Sequence, residues 1–186
     1  ELDEDHSPKR LAFEQEVLSH LRDANLPVAL PRPDGQGRTA TCYGGRLYTI
    51  SPLLGTTGGG DSVPWTAKCS SYGRAIAELH IALGTFSTET LVSRTWRNEP
   101  MREGFDQGWP SIRRLLPDAE IAVIEEIFED IEPDMRRSLA DLPEQLIHRD
   151  CHPGNVLTDG KEVVGFVDCD HFSVGSPVLD IAYFLI

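Results

Sequence analysis

The sequence predicts an α+β fold built from helices and short antiparallel hairpins. Apolar residues recur at helical spacing in several segments, the first being Leu11, Val17, Leu18 and Leu21. Two glycine turns each join a pair of strand-like runs: "TATCYGG" with "RLYTISPLL", and "NVLT" with "VVGFVD". The remaining helical segments fall between these hairpins and after the second.

In chain order, Ser7-Pro8 reads as a helix N-cap followed by proline at the first helical position, and Asn25 can end that helix. The Pro/Gly-rich "LPVALPRPDGQGR" is a connector. The first hairpin follows, and then the flexible linker "GTTGGGDSVP", a candidate boundary. Trp65 to Leu83 is expected to be a helix with Ile76, Leu79 and Leu83 on one face, and residues 85–110 are expected to be irregular. Two helices, Asp118 to Ile131 and Pro133 to Leu142, should be separated by the break at Glu132-Pro133. Asp159-Gly160 is a hairpin turn signal for the second strand pair, and "SPVLDIAYFLI" opens a last helix. That run is apolar to its final residue, so a longer parent protein is expected.

Composition narrows the function. The 186 residues hold 40% hydrophobic and 25% charged residues, an ordinary globular balance. No run of apolar residues is long enough to span a membrane, and the charged N-terminus lacks the apolar core of a signal peptide. Four cysteines, Cys42, Cys69, Cys151 and Cys169, form no C-x-x-C pair and read as reduced thiols of a cytoplasmic protein. With 17 basic against 30 acidic residues, the net charge of −13 argues against a nucleic-acid-binding face. The charge is compatible with a cationic substrate, but a solvated acidic surface is the preferred reading.

The chemistry concentrates in "LIHRDCHPGNVLTDG", residues 146–160. Three readings arise. His148, Asp150, His152, Asp168, Asp170 and His171 could supply an N/O ligand set for a hydrolytic metal. Alternatively, His148-Arg149-Asp150 followed after four residues by Asn155, then a hairpin and Asp168, has the order of a phosphoryl-transfer loop. In that reading Asp150 orients an attacking hydroxyl, while Asn155 and Asp168 offer hard oxygens to a magnesium ion shared with nucleotide phosphates. The third reading is a polar turn without chemistry, which an ordered series of loop, asparagine, hairpin and aspartate disfavours.

At these residues the sequence resembles the aminoglycoside phosphotransferase and choline kinase-like family. His148-x-Asp150-x-His152-Pro153-x-Asn155, the hairpin, Asp168-x-Asp170 and the Gly175-x-Pro177-x-x-Asp180-Ile181-Ala182 helix start match that family's series over about forty residues. The resemblance implies a protein-kinase-like two-lobe fold, with residues 1–54 as an incomplete N-lobe and 55–186 as a mainly helical C-lobe carrying the catalytic-loop hairpin. It implies ATP and Mg2+ as cofactors and a small-molecule hydroxyl as acceptor, with Asp150 as catalytic base. Asn155, Asp168 and Asp170 would be metal ligands, and His148, His152 and Asp180 would support the site. "FEQEVLSHLRDANLPVALPRP" is similar to the family's N-lobe helix, which makes Glu14 the partner of the ATP-binding lysine, with Glu16 competing for that role. "GRLYTISPLLGT" is similar to the hinge, placing adenine against the backbone of Ser51, Pro52 and Leu53. "YGRAIAELHIAL" is similar to the first C-lobe helix, where His80 is expected to be a packing residue. The glycine-rich loop and the lysine strand have no counterpart here, and Lys9 is a poor substitute. A pseudokinase and a protein Ser/Thr kinase therefore stand as alternatives beside the small-molecule kinase and the metal hydrolase.

Overall fold

The first helix, α1 (Pro8–Asp23), buries Phe13, Val17, Leu18 and Leu21 along one stripe. The structure is a computed structural model that describes residues 8–55, 63–87 and 100–185, so Ser7 and most of the glycine linker lie outside the described residues. The helix ends in a Schellman arrangement. Asn25 takes φ +63°, its N–H donates to the Arg22 carbonyl at 2.9 Å, and the Leu26 N–H donates to the Leu21 carbonyl at 2.9 Å. Leu21 and Leu26, the two ends of that motif, are both buried. The connector is then pinned to the C-terminal half: Val28 bridges Phe166 in parallel, and the Phe166 N–H donates to the Pro27 carbonyl.

Strands β1 (Thr41–Tyr43) and β2 (Arg46–Tyr48) form the first hairpin. Its turn residues Gly44 and Gly45 both have positive φ, which a two-residue turn of this hand requires. Helix α2 (Trp65–Gly84) buries Tyr72, Ala75, Ile76, Leu79, Ala82 and Leu83.

Two expectations fail in the middle of the chain. Residues 100–110, expected to be irregular, belong to helix α3 (Pro100–Ile112), which is followed by a 3-10 turn at Arg113–Leu115. Phe105 and Trp109, one turn apart, stack at 5.1 Å, and Phe105 stacks on Phe128 of the next helix at 3.7 Å. This packing overrides the weak propensity of a segment containing Gly108 and Pro110. The second correction concerns Pro133. Helix α4 (Asp118–Ala140) runs through it unbroken. An interior proline costs about 3 kcal/mol, but starting a second helix carries its own nucleation cost. The Glu132–Arg136 ion pair at 2.7 Å and the Asp134–Arg137 pair brace that turn.

The last third holds two further hairpin-like pairs. Strand β3 (Gln145–Ile147) pairs antiparallel with β6 (Ser173–Gly175), and β4 (Val156–Asp159) pairs with β5 (Glu162–Phe166) across Gly160. Helix α5 (Val178–Leu185) closes the described chain. One hydrophobic core joins α1, α2 and these strands, with Phe13, Leu79, Leu83, Leu146, Val156, Phe166 and Phe172 almost fully enclosed. The architecture is α+β, with small antiparallel sheets and abundant helix.

Candidate active site

The stretch between β3 and β4 is suspended from α5 by one side chain. Asp180 is fully buried; its Oδ2 accepts from the His148 N–H at 2.9 Å and its Oδ1 from the Arg149 N–H at 2.7 Å. His80 of α2 adds its Nε2 at 3.0 Å from Asp180 Oδ2. Two consecutive backbone donors thus converge on one carboxylate, with Arg149 at φ +70°. His148 is completely enclosed, edge-on to Phe172 at 5.7 Å. Burial pushes its ring below the ordinary histidine range, although Asp180 and Asp150 pull the other way.

Asn155 joins the two halves of the stretch. Its Nδ2 donates to the carboxylate Oδ2 and to the main-chain carbonyl of Asp150, each at 2.8 Å. Its own carbonyl accepts from the Val167 N–H at 3.0 Å, one residue before Asp168. His152 closes the turn locally: the Gly154 N–H donates to its Nδ1 at 3.0 Å. A Cβ on Gly154 would lie 2.6 Å from the His152 ring, so the glycine permits this fold-back. His152 Nε2 lies 4.0 Å from Asp150 Oδ2 and is half-exposed, a brace at the rim.

Asp168 leaves β5 in the left-handed region at φ +59°, and the chain then makes a 3-10 turn at Cys169–His171. A cavity of about 320 Å³ opens there. Its walls include Glu14 of α1, Ser51, Pro52 and Leu53 after β2, Leu157 and Phe166 of the hairpin, and Asp168 with Asp170. Asp150 and Asn155 are not among its lining residues. Among the described residues, the backbone of 51–53 takes part in no backbone–backbone hydrogen bond. Glu14 faces the cavity, while Glu16 and Lys9 are exposed elsewhere. Burial raises the Glu14 carboxyl to about 7; Arg10 works against this and Asp170 adds to it.

The pattern of the Phosphotransferase enzyme family matches residues 2–186. The chain belongs to this family. Its similarity to the homoserine kinase of Rhodopseudomonas palustris is 30% identity over 163 residues, 85% of this chain and 46% of that protein. The chain spans about half the length of the homoserine kinases it matches. Among solved structures, amicoumacin kinase hAmiN, in complex with AMP-PNP, Ca2+ and Ami, has a TM-score of 0.66 at 16% identity. That match covers 96% of this chain and 53% of the other. The GDP and kanamycin complex of APH(2")-IIia has a TM-score of 0.66 at 18% identity, covering 94% and 61%. At these identities the likeness establishes the fold, which is protein-kinase-like.

The donor chemistry fits Mg2+. Asp168 and Asp170 bring carboxylates to the cavity wall, while Asn155, its Nδ2 committed to Asp150, lies outside that lining. The hydrolase ligand set is not assembled: among the described residues no three His, Cys, Asp or Glu side chains gather to hold a metal. Cys151 is fully buried with its thiol pushed well up by burial, and burial likewise raises Cys169 to about 12. Burial thus favours the protonated form of both thiols, and Cys169 Sγ lies 3.5 Å from His148 Nε2. His80, expected from the sequence to be a packing residue, also carries part of the loop's suspension through Asp180. Its signal is a histidine at the margin of an apolar helical stripe, which does not by itself name a partner. Arg10 has no signal at all.

Proposed function

We propose that this chain carries the catalytic loop of an ATP-dependent kinase that moves the γ-phosphoryl group to a hydroxyl of a small molecule. The observation that carries this reading is Asn155: it holds Asp150 with its amide nitrogen and ties the loop to the strand end bearing Asp168 with its backbone carbonyl. In this reading Asp150 receives or orients the acceptor proton. Asp168, Asp170 and Asn155 hold Mg2+, which would neutralise charge developing on the phosphates. Adenine lies against the backbone of Ser51, Pro52 and Leu53, which among the described residues makes no backbone–backbone hydrogen bond, and Glu14 closes the phosphate side of the cavity. His148, His152 and Asp180 fix the loop's shape. The lobe division at 1–54 and 55–186 agrees with this use of the cavity, whose walls come from both segments.

For the acceptor, homoserine is the first compound to test, because homoserine kinases are among the relatives of this chain, one of them at 30% identity. A cationic acceptor is supported by the net charge of −13. The absence of any sufficiently long apolar helix among the described residues and the four free cysteines support a cytoplasmic site of action.

The test is turnover of the full protein with Mg·ATP against homoserine, choline and aminoglycosides. Asp150→Asn and Asp168→Ala should each lower kcat by roughly 10³-fold. Near-normal turnover in either variant would sink the assignment.

A further inference from the structure

Arg10 sits on α1 one helical turn before Glu14, yet its side chain is spent on the opposite end of the chain. Only 3% of the residue is exposed. Its Nε and one terminal nitrogen donate to the Asp170 carbonyl at 3.1 and 2.6 Å, and that terminal nitrogen also reaches the Phe172 carbonyl at 2.8 Å. Nε lies 3.4 Å from Glu14 Oε1, and the guanidinium carbon sits 5.7 Å from the Phe13 ring centre. The carbonyls at the end of a tight helical turn have no partner within that turn, and a cationic donor satisfies them. One rigid fork therefore grips the turn that follows Asp168 and the carboxylate of Glu14 together.

We infer that Arg10 is a positioning residue that locks α1 to the Asp168–Phe172 turn, so that Glu14 and the two aspartates keep their places in the lining of one nucleotide cavity. This rests on the phosphotransfer reading. Lysine cannot replace the fork, because a single ammonium cannot address two separated carbonyls and a carboxylate in one plane. Neither Glu14 nor Asp170 need change chemically for the site to fail. Loss of the clamp lets α1 and the turn move independently, and displacements on the order of 1 Å in such sites cost about 10²-fold.

The experiment uses the full protein with Arg10→Lys and Arg10→Gln. In folded variants, judged by circular dichroism, KM for Mg·ATP should rise at least about tenfold while KM for the acceptor stays within about twofold. A merely structural role would lower the active fraction and leave both KM values alone; that result, or an unchanged KM for Mg·ATP, overturns the inference. If neither variant folds, hydrogen exchange in the wild type decides. Mg·ATP should slow exchange in residues 8–17 and 168–173 by a common factor, and independent protection of the two segments overturns the inference. Absence of any wild-type turnover or nucleotide binding would instead indict the phosphotransfer reading. In that case exchange without ligand still tests the clamp: Arg10→Lys must speed exchange at 168–173 by at least about tenfold, and unchanged exchange overturns it.

Discussion

Replacing Asp180 with asparagine perturbs the suspension of the loop between β3 and β4 while barely changing volume. The carboxylate takes three donors: the His148 N–H at 2.9 Å, the Arg149 N–H at 2.7 Å and His80 Nε2 at 3.0 Å. Asparagine has one acceptor oxygen. In its better orientation that oxygen replaces Oδ2, keeps His148 and His80, and turns the amide N–H2 towards the Arg149 N–H. One charge-assisted bond, worth about 1.5–3 kcal/mol, is lost and a donor meets a donor. Removing a buried charge returns part of its desolvation cost. The net loss is therefore roughly 2–3 kcal/mol, and at a urea dependence of about 2 kcal/mol/M the midpoint falls by roughly 1 M. Urea unfolding followed by tryptophan fluorescence measures it, and amide exchange at Arg149 should accelerate in parallel. His80→Gln in the same background should be non-additive by about 0.5–1 kcal/mol. A stability loss below about 0.5 kcal/mol, or unchanged Arg149 exchange, would refute the claim that this carboxylate supports the loop.

Other consequences are equally direct. Glu14 has a folded-state pKa of about 7 against an ordinary value of 4.5, so the folded state retains a proton that the unfolded chain has already released. Stability then falls as pH rises from about 4.5 to about 7. The full shift corresponds to about 3 kcal/mol, and solvent at the cavity mouth reduces it to roughly 1–2. Without nucleotide or divalent cation, Glu14→Gln should exceed the wild type in stability by that amount at pH 8 and match it near pH 4.5; a difference independent of pH would contradict this. Thiol labelling at pH 8 should modify the exposed Cys42 and Cys69 first, with Cys151 reacting only on unfolding; rapid labelling of Cys151 in the native protein would show that the loop packs differently.

Local chemistry is legible in the sequence. The helix end at Asn25, the Gly44-Gly45 turn and the hairpin at Gly160 each depend on a few adjacent residues whose backbone preferences leave little choice. The same holds for the order Asp150, Asn155, hairpin, Asp168, because spacing along a short loop and one hairpin limits where those side chains can be. Helix α3 and the continuity of α4 are not legible in this way. Their outcome depends on Phe105 stacking against Phe128 and on the cooperativity of a long helix, which outweigh the local penalties of Pro110 and Pro133.

What the sequence by itself determined is the order of the candidate site groups within one loop and one hairpin. The tertiary structure alone decided which distant groups hold them. His80 meets Asp180 across 100 residues, and Arg10 reaches the Asp170 carbonyl across 160. Such pairings follow from how α1, α2 and α5 pack around the shared core, and a buried polar side chain takes whichever unpaired partner that packing brings within reach.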